Sequence, residues 1–159
     1  MILERGSRID REPPPGLDLA LLSTVEDFAA FSRIVNEHLF CDAPEASPVF
    51  AGLLRSIASD RAFGYLARAE GEPVSAAYAY LDEEGIGGVY FVATATGARG
   101  RGFGSASVSA VLRELERRGA VACILHATEL GKPVYEALGF VDACALPIFW
   151  LLDRGASAR

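Results

Sequence analysis

The succession of turn signals and apolar periodicities predicts an α/β (α+β) domain. Its core would be a mixed, mostly antiparallel central sheet of about six to seven strands, with helices on both faces. Three observations carry this. Residues 62–94 read as three consecutive strands, divided by hairpin turns at Glu70-Gly71-Glu72-Pro73 and Glu83-Glu84-Gly85. A strand–helix–strand crossover then runs to about residue 127, and a parallel pair must result from it. Helical periodicity before and after the hairpins supplies layers for both faces. The chain has 159 residues, 51% apolar and 23% charged, enough to enclose one core.

Taken in order, residues 1–16 end in Pro13-Pro14-Pro15-Gly16 and read as an extended arm rather than a packed element. Residues 17–159 read as a single domain. A short strand at Leu17–Leu22 precedes a helix, with Ser23 and Glu26 spaced as a capping box. Val25, Phe28, Ser32, Val35 and Leu39 recur at helical spacing, widened by Phe31 and Ile34. A second helix after Pro44 would bury Val49, Phe50, Leu53, Leu54 and Ile57. After the hairpins, Val108, Val111, Leu112 and Leu115 mark a helix over 104–118, stopped by Gly119. "AVACILHA" (120–127) reads as a buried strand, and residues 131–138 as a short helix with Pro133 in its first turn and Gly139 beyond its end. Two last strands are divided near Cys144–Pro147, the second being "PIFWLLD". The predicted order is β-α-α-β-β-β-α-β-α-β-β.

Charge and composition exclude several classes. The net charge is −6 and Lys132 is the sole lysine, which argues against a nucleic-acid binder. The residues from Arg99 to Arg118 are locally positive, with five arginines against Glu114 and Glu116. The first residues lack the apolar run of a signal peptide, and no segment is long and apolar enough for a membrane span. Cys41, Cys123 and Cys144 are too scattered for a disulfide framework. The expectation is a soluble, cytoplasmic protein with reduced thiols. His38 and Cys41 have no second ligand pair, so no metal site is expected. No Gly-x-Ser-x-Gly elbow is present.

The most informative stretch is "TATGARGRGFGSASV" (94–108), which joins a strand to a helix. The first N–H groups of a helix lack internal partners, and its dipole makes that end partly positive. Gly100, Gly102 and Gly104 would let a phosphate approach that backbone, and Arg99 and Arg101 add charge suited to pyrophosphate. A Walker A loop is excluded because Phe103 stands where lysine is required. A Rossmann fingerprint fails because Ser105 or Ser107 occupies the third glycine position. Glu129 could mimic the ribose-binding acid, but too little chain follows it for the rest of a doubly wound domain.

The pattern that fits is Arg99-x-x-Gly102-x-Gly104. With Val92-Ala93-Thr94 ending the strand before it and "GKPVYEALGF" (131–140) downstream, the chain resembles the GCN5-related N-acetyltransferase (GNAT) family. The specific motifs span about 88–140, and the element order extends the likeness over about 17–152. The resemblance implies the GNAT-like acyl-CoA N-acyltransferase fold. It also implies an enzyme moving an acetyl group from acetyl-CoA to a primary amine, by direct attack in a ternary complex.

In those terms the pyrophosphate would lie on the N–H groups of Arg101, Gly102, Phe103, Gly104 and Ser105, beside Arg99 and Gly100. Pantetheine would pair with Phe91, Val92, Ala93 and Thr94 like an added strand. The Val92 N–H would polarise the thioester carbonyl. Tyr135 would touch the cofactor and, being protonated at neutral pH, donate a proton to the leaving thiolate. Thr128 stands where the family often has asparagine, so one pantetheine contact differs.

For the base, some family members place a carboxylate near the turn where Glu83 and Glu84 stand, although both also read as solvated turn residues. His126 carries an imidazole, a group that titrates near neutrality, but its parity in an apolar strand reads as half-buried. Glu129 reads equally as a helix-start charge. Phe28, Phe31 and Phe50 read as core packing beneath the sheet, with residues 40–48 and their helices also walling the acceptor site. The acceptor is expected to be a small-molecule or peptide amine, with no nucleic acid and no membrane partner. A homodimer is compatible with the family and with Phe149 and Trp150 in the last strand. The alternative is a catalytically inactive acyl-CoA-binding sensor or interaction module.

Overall fold

The computed structural model describes residues 1–39 and 60–147. Its strands are β1 (Ile2–Glu4), β2 (Leu17–Leu21), β3 (Ala62–Ala69), β4 (Glu72–Leu81), β5 (Ile86–Thr94) and β6 (Ala122–Ile124). The helices are α1 (Val25–Leu39), α2 (Phe103–Arg117) and the short α3 (Lys132–Glu136), with a 3-10 turn at Thr96–Ala98. The helix expected after Pro44, Cys41, Phe50 and the last strand with Phe149 and Trp150 lie outside the described residues.

The strands form one six-stranded sheet in the order β1-β6-β5-β4-β3-β2. All its pairs are antiparallel except β5 with β6, the pair joined through α2. The mixed sheet predicted from sequence is therefore present. The β3–β4 hairpin turns on Glu70 (φ 52°) and Gly71 (φ 84°), two successive left-handed residues as a tight hairpin loop requires.

Alternation along β4 sorts the core into two layers. Ala77 and Ala79 face a cluster containing Val108, Val111, Leu112 and Leu115 of α2. Ala76 and Tyr78 face one containing Phe31, Ile34 and Val35 of α1. Small residues in the central strand let both helices approach the sheet closely. Each large aliphatic side chain so enclosed contributes roughly 1.5–3 kcal/mol.

Four expectations are corrected in detail. The N-terminal arm is not wholly unpacked, because Ile2–Glu4 pairs with Ala122–Ile124 and Leu3 is buried. The capping box is Thr24 and Asp27, one residue later than Ser23 and Glu26. The Asp27 N–H donates to Thr24 Oγ1 (3.1 Å), and the Thr24 N–H donates to Asp27 Oδ2 (3.2 Å). Val25 consequently begins the helix on its solvent side and is 79% exposed. Finally, the strand expected over 120–127 is confined to Ala122–Ile124, and Val141 forms only an isolated bridge with Ile2.

Candidate functional site

The site arises where β5 and β6 part company. Their parallel register covers Ile86–Gly88 against Ala122–Ile124 and goes no further. Beyond it the chain of β6 follows Met1 instead. The Leu125 N–H donates to the Met1 carbonyl (3.1 Å), and the Met1 amino group donates to the Leu125 carbonyl (2.8 Å).

On β5 the divergence coincides with a bulge. Tyr90 pairs with Tyr78 and Ala93 with Ala76, so Phe91 and Val92 together oppose Ala77. Phe91 takes φ 51°, a left-handed conformation uncommon for an aromatic residue and of the kind that accumulates at functional sites. It packs edge-on to Tyr78, with ring centroids 6.0 Å apart. Nothing in the local sequence signals this bulge, because the usual marker would be glycine.

The resulting cleft has a volume of about 830 Å3. Its walls are Val89–Thr94 of β5, the loop and helix start from Ala98 to Ser105, and residues between His126 and Tyr135. Among the sequence-predicted residues it brings together Phe91, Val92, Ala93, Thr94, Arg99, Gly100, Gly102, Phe103, Gly104, Ser105, Thr128 and Tyr135. Arg101 is not in the lining; its guanidinium lies over the Phe103 ring, 4.6 Å from the centroid.

Gly102 caps α2 at φ 81°, with no side-chain cap and no acidic residue in the first turn. The first intrahelical bond runs from the Ala106 N–H to the Gly102 carbonyl (3.0 Å). The N–H groups of Phe103, Gly104 and Ser105 therefore lie ahead of the helical ladder, at the positive end of a 15-residue helix. Gly104 has a further role. A Cβ there would stand 2.9 Å from Thr94 Oγ1, so a larger residue would force the Thr94 side chain or the start of α2 to shift. Thr94 is itself fixed by the Ser75 hydroxyl at 3.0 Å, and Arg99 Nε donates to the Thr94 carbonyl (3.2 Å).

Opposite the helix end stands α3. The Gly131 N–H donates to Thr128 Oγ1 (3.1 Å), and the Lys132 N–H to the Thr128 carbonyl (2.9 Å). Thr128 thus anchors the turn that precedes Tyr135. Tyr135 is 8% exposed, its ring edge-on to Phe140 at 6.0 Å. Burial pushes its phenol up from the ordinary tyrosine range, so it holds its proton throughout neutral conditions.

The other titratable candidates separate clearly. Glu83 and Glu84 sit in the β4–β5 turn, at the end of β5 away from Thr94, and neither lines the cleft. Glu83 is paired instead with Arg61 at 3.3 Å. Glu129 is exposed and also absent from the lining. His126 lines the cleft and is exposed, not half-buried. It shares the parity of Ile124, itself 42% exposed, whereas the α2-facing positions Cys123 and Leu125 are buried. Among the described residues no group of three or more His, Cys, Asp or Glu is placed to hold a metal ion. No helix among them is long and apolar enough to cross a membrane.

The cleft thus combines a mixed sheet split at a bulged strand with an uncapped, glycine-flanked helix start at the split. The sequence model of the acetyltransferase (GNAT) family matches residues 22–140, and the chain belongs to that family. The likeness read from Arg99-x-x-Gly102-x-Gly104 and residues 131–140 is thereby borne out.

Solved structures agree on the fold. A GCN5-related N-acetyltransferase from Ralstonia eutropha superposes with a TM-score of 0.70 at 23% identity, covering 84% of this chain and 99% of that one. A predicted acetyltransferase from Clostridium acetobutylicum, solved with acetyl-CoA, gives 0.70 at 16% identity over 87% and 99%. An aminoglycoside acetyltransferase from an uncultured soil metagenomic sample, in complex with sisomicin, gives 0.71 at 14% identity over 86% and 97%. No curated protein matches by sequence.

Proposed function

We propose that the protein is an N-acetyltransferase that moves an acetyl group from acetyl-CoA to the primary amine of a small-molecule or peptide acceptor. The observation that carries this reading is the uncapped start of α2 opening into the cleft beside the bulged end of β5. Acetyl-CoA supplies an acyl group already activated as a thioester, so the protein has only to bind, orient and manage protons. One of the structural neighbours was solved with acetyl-CoA. Another is a glucosamine-6-phosphate N-acetyltransferase from Arabidopsis thaliana, and a third is the aminoglycoside acetyltransferase in complex with sisomicin, which supports a small amine as acceptor.

In this proposal the N–H groups from Arg101 to Ser105 bind the pyrophosphate, with Arg99 beside them. The backbone from Phe91 to Thr94 aligns the pantetheine arm, and the Val92 N–H stabilises charge developing on the thioester oxygen. The amine attacks the carbonyl carbon, the C–S bond breaks, and Tyr135 donates its proton to the departing sulfur. The attacking nitrogen gives up a proton in the same sequence. Among the described residues weighed for that task, His126 alone lines the cleft, and we assign the proton to it rather than to Glu83 or Glu84.

The test is thiol release from acetyl-CoA with a panel of amines, run beside calorimetric titration with CoA. Binding with turnover on at least one amine supports the reading. Binding with no turnover on any amine would make the chain a CoA-binding module, and absence of binding would remove the proposal altogether.

A further inference from the structure

β1 and β2 occupy opposite edges of the sheet, so the segment joining them must cross an entire face. It crosses on the side of α2 and α3, and it is tied down along its length. The Ile9 N–H donates to the Leu138 carbonyl (3.1 Å), and Arg11 Nε to the Ala137 carbonyl (3.2 Å), both just past the end of α3. The Ser7 carbonyl passes so close to Gly139 that a Cβ there would collide with it. Arg8 Nε donates to Glu116 (3.1 Å), and Arg113 Nη2 to the Arg11 carbonyl (3.1 Å). The segment then reaches the start of α2, where Pro14 Cγ stands 3.3 Å from where a Cβ of Gly102 would be. Of the three consecutive prolines Pro14 alone is half-buried; Pro13 and Pro15 are exposed.

The same segment therefore runs from the end of α3 to the start of α2, the two elements on either side of the cleft. At one end it binds the Ala137 and Leu138 carbonyls, just past the helix of Tyr135, and at the other Pro14 lies beside Gly102, the cap residue of the proposed anion site. Neither Arg11 nor Pro14 lines the cleft. We propose that residues 8–14 are a positioning strap that fixes the turn carrying Tyr135 relative to the start of α2. Pro14 thereby governs cofactor affinity, and Arg11 governs turnover. This inference rests on the acyltransferase reading of the cleft. Proline suits the task because its fixed φ leaves little freedom for the segment to slacken.

The experiment compares Pro14→Ala, Arg11→Ala and Arg11→Lys with the parent, using Pro13→Ala and Pro15→Ala as controls. Readouts are the Kd for CoA, KM for acetyl-CoA, kcat and Tm. Pro14→Ala should raise Kd and KM about three- to tenfold with kcat within about twofold, because a small displacement of a binding group is felt strongly. Arg11→Ala should lower kcat by about three- to tenfold with little change in KM, and Arg11→Lys, which keeps a donor for the Ala137 carbonyl, should recover most of it. The two controls should match the parent. Variants that lower Tm yet leave Kd and kcat at parental values would reduce the strap to a structural tie and overturn the inference. So would an effect of the same size in the controls. If the parent itself neither binds CoA nor turns over, the acyltransferase reading fails instead, and the two failures are distinct.

Discussion

Gly104 and Thr94 meet where α2 starts and β5 ends, and the 2.9 Å separation between a would-be Cβ and Thr94 Oγ1 means that any larger residue must displace one of the two. Gly104→Ala should therefore cost stability, by about 1–3 kcal/mol as overpacking does, as well as weaken CoA binding. The double variant Gly104→Ala/Thr94→Ala removes the obstructing oxygen and separates the two effects. Recovery of Tm with a persistently weak Kd for CoA is the expected result, because a methyl at the helix start still obstructs a phosphate. If Kd recovered together with Tm, Gly104 would serve packing alone.

Tyr135→Phe keeps the ring that packs on Phe140 and deletes only the hydroxyl. We expect kcat to fall about 10- to 100-fold with KM for acetyl-CoA nearly unchanged, within the range for loss of a general acid. Because burial raises the phenol's pKa, the protonated form required of an acid is present at neutral pH, and it is lost only as pH rises beyond the ordinary tyrosine value near 10. Full turnover in the Phe variant across all pH values would remove the acid role.

These elements were not equally legible in the sequence. α2 was, because Val108, Val111, Leu112 and Leu115 repeat at helical spacing and all four are fully buried. The β3–β4 hairpin was, because Glu70-Gly71 is a local turn signal. β1 was not. Three residues carry no periodicity, and Ile2–Glu4 becomes a strand only through pairing with β6 from the far end of the domain. The cap of α1 slipped by one residue because Ser23 and Thr24 each have an acid three positions on, and Arg68 decides between them by binding Asp27 at 2.7 Å. In the site, the glycines announced the helix start, while the bulge at Phe91 depends on the register between β4 and β5 and has no residue signature. The approach of Pro14 to Gly102 likewise joins positions far apart in the chain.

His126 lines the cleft, and substitution distinguishes the proposed proton acceptor from simple lining. His126→Gln keeps a polar side chain of similar length. A decrease in kcat/KM of about tenfold near neutral pH is expected, narrowing toward parental values as pH approaches about 10, where an alkyl amine acceptor is itself substantially deprotonated. A uniform decrease at every pH would assign His126 to binding, and no decrease would leave the amine to lose its proton directly to solvent.

Glu114 ties the last turn of α2 together and predicts how stability responds to acid. Its buried carboxylate receives Arg117 Nε at 2.7 Å, Arg117 Nη2 at 2.6 Å and Arg118 Nε at 2.7 Å. Hydrogen bonds from Arg117 are the chief cause of its depressed pKa, about 2 against 4.5, with burial opposing and Arg118 assisting. A depressed carboxylate pKa stabilises the fold above its unfolded value, and that contribution fades as pH falls from about 4.5 through about 2. Arg118 also lies over the Phe63 ring at 4.2 Å, so the carboxylate orders a side chain that covers the core. Glu114→Gln should thus lower stability by about 1–3 kcal/mol at pH 7, as loss of a charge-assisted pair does. The gap between variant and parent, followed by denaturant titration, should shrink below pH 4.5 and nearly close at pH 2. Asp27, also lowered to about 2 chiefly by Arg68, should leave both proteins with a shared residual acid sensitivity over the same range. A gap that stayed constant from pH 7 to pH 2 would mean that the Gln variant suffers from altered packing rather than from the lost charge.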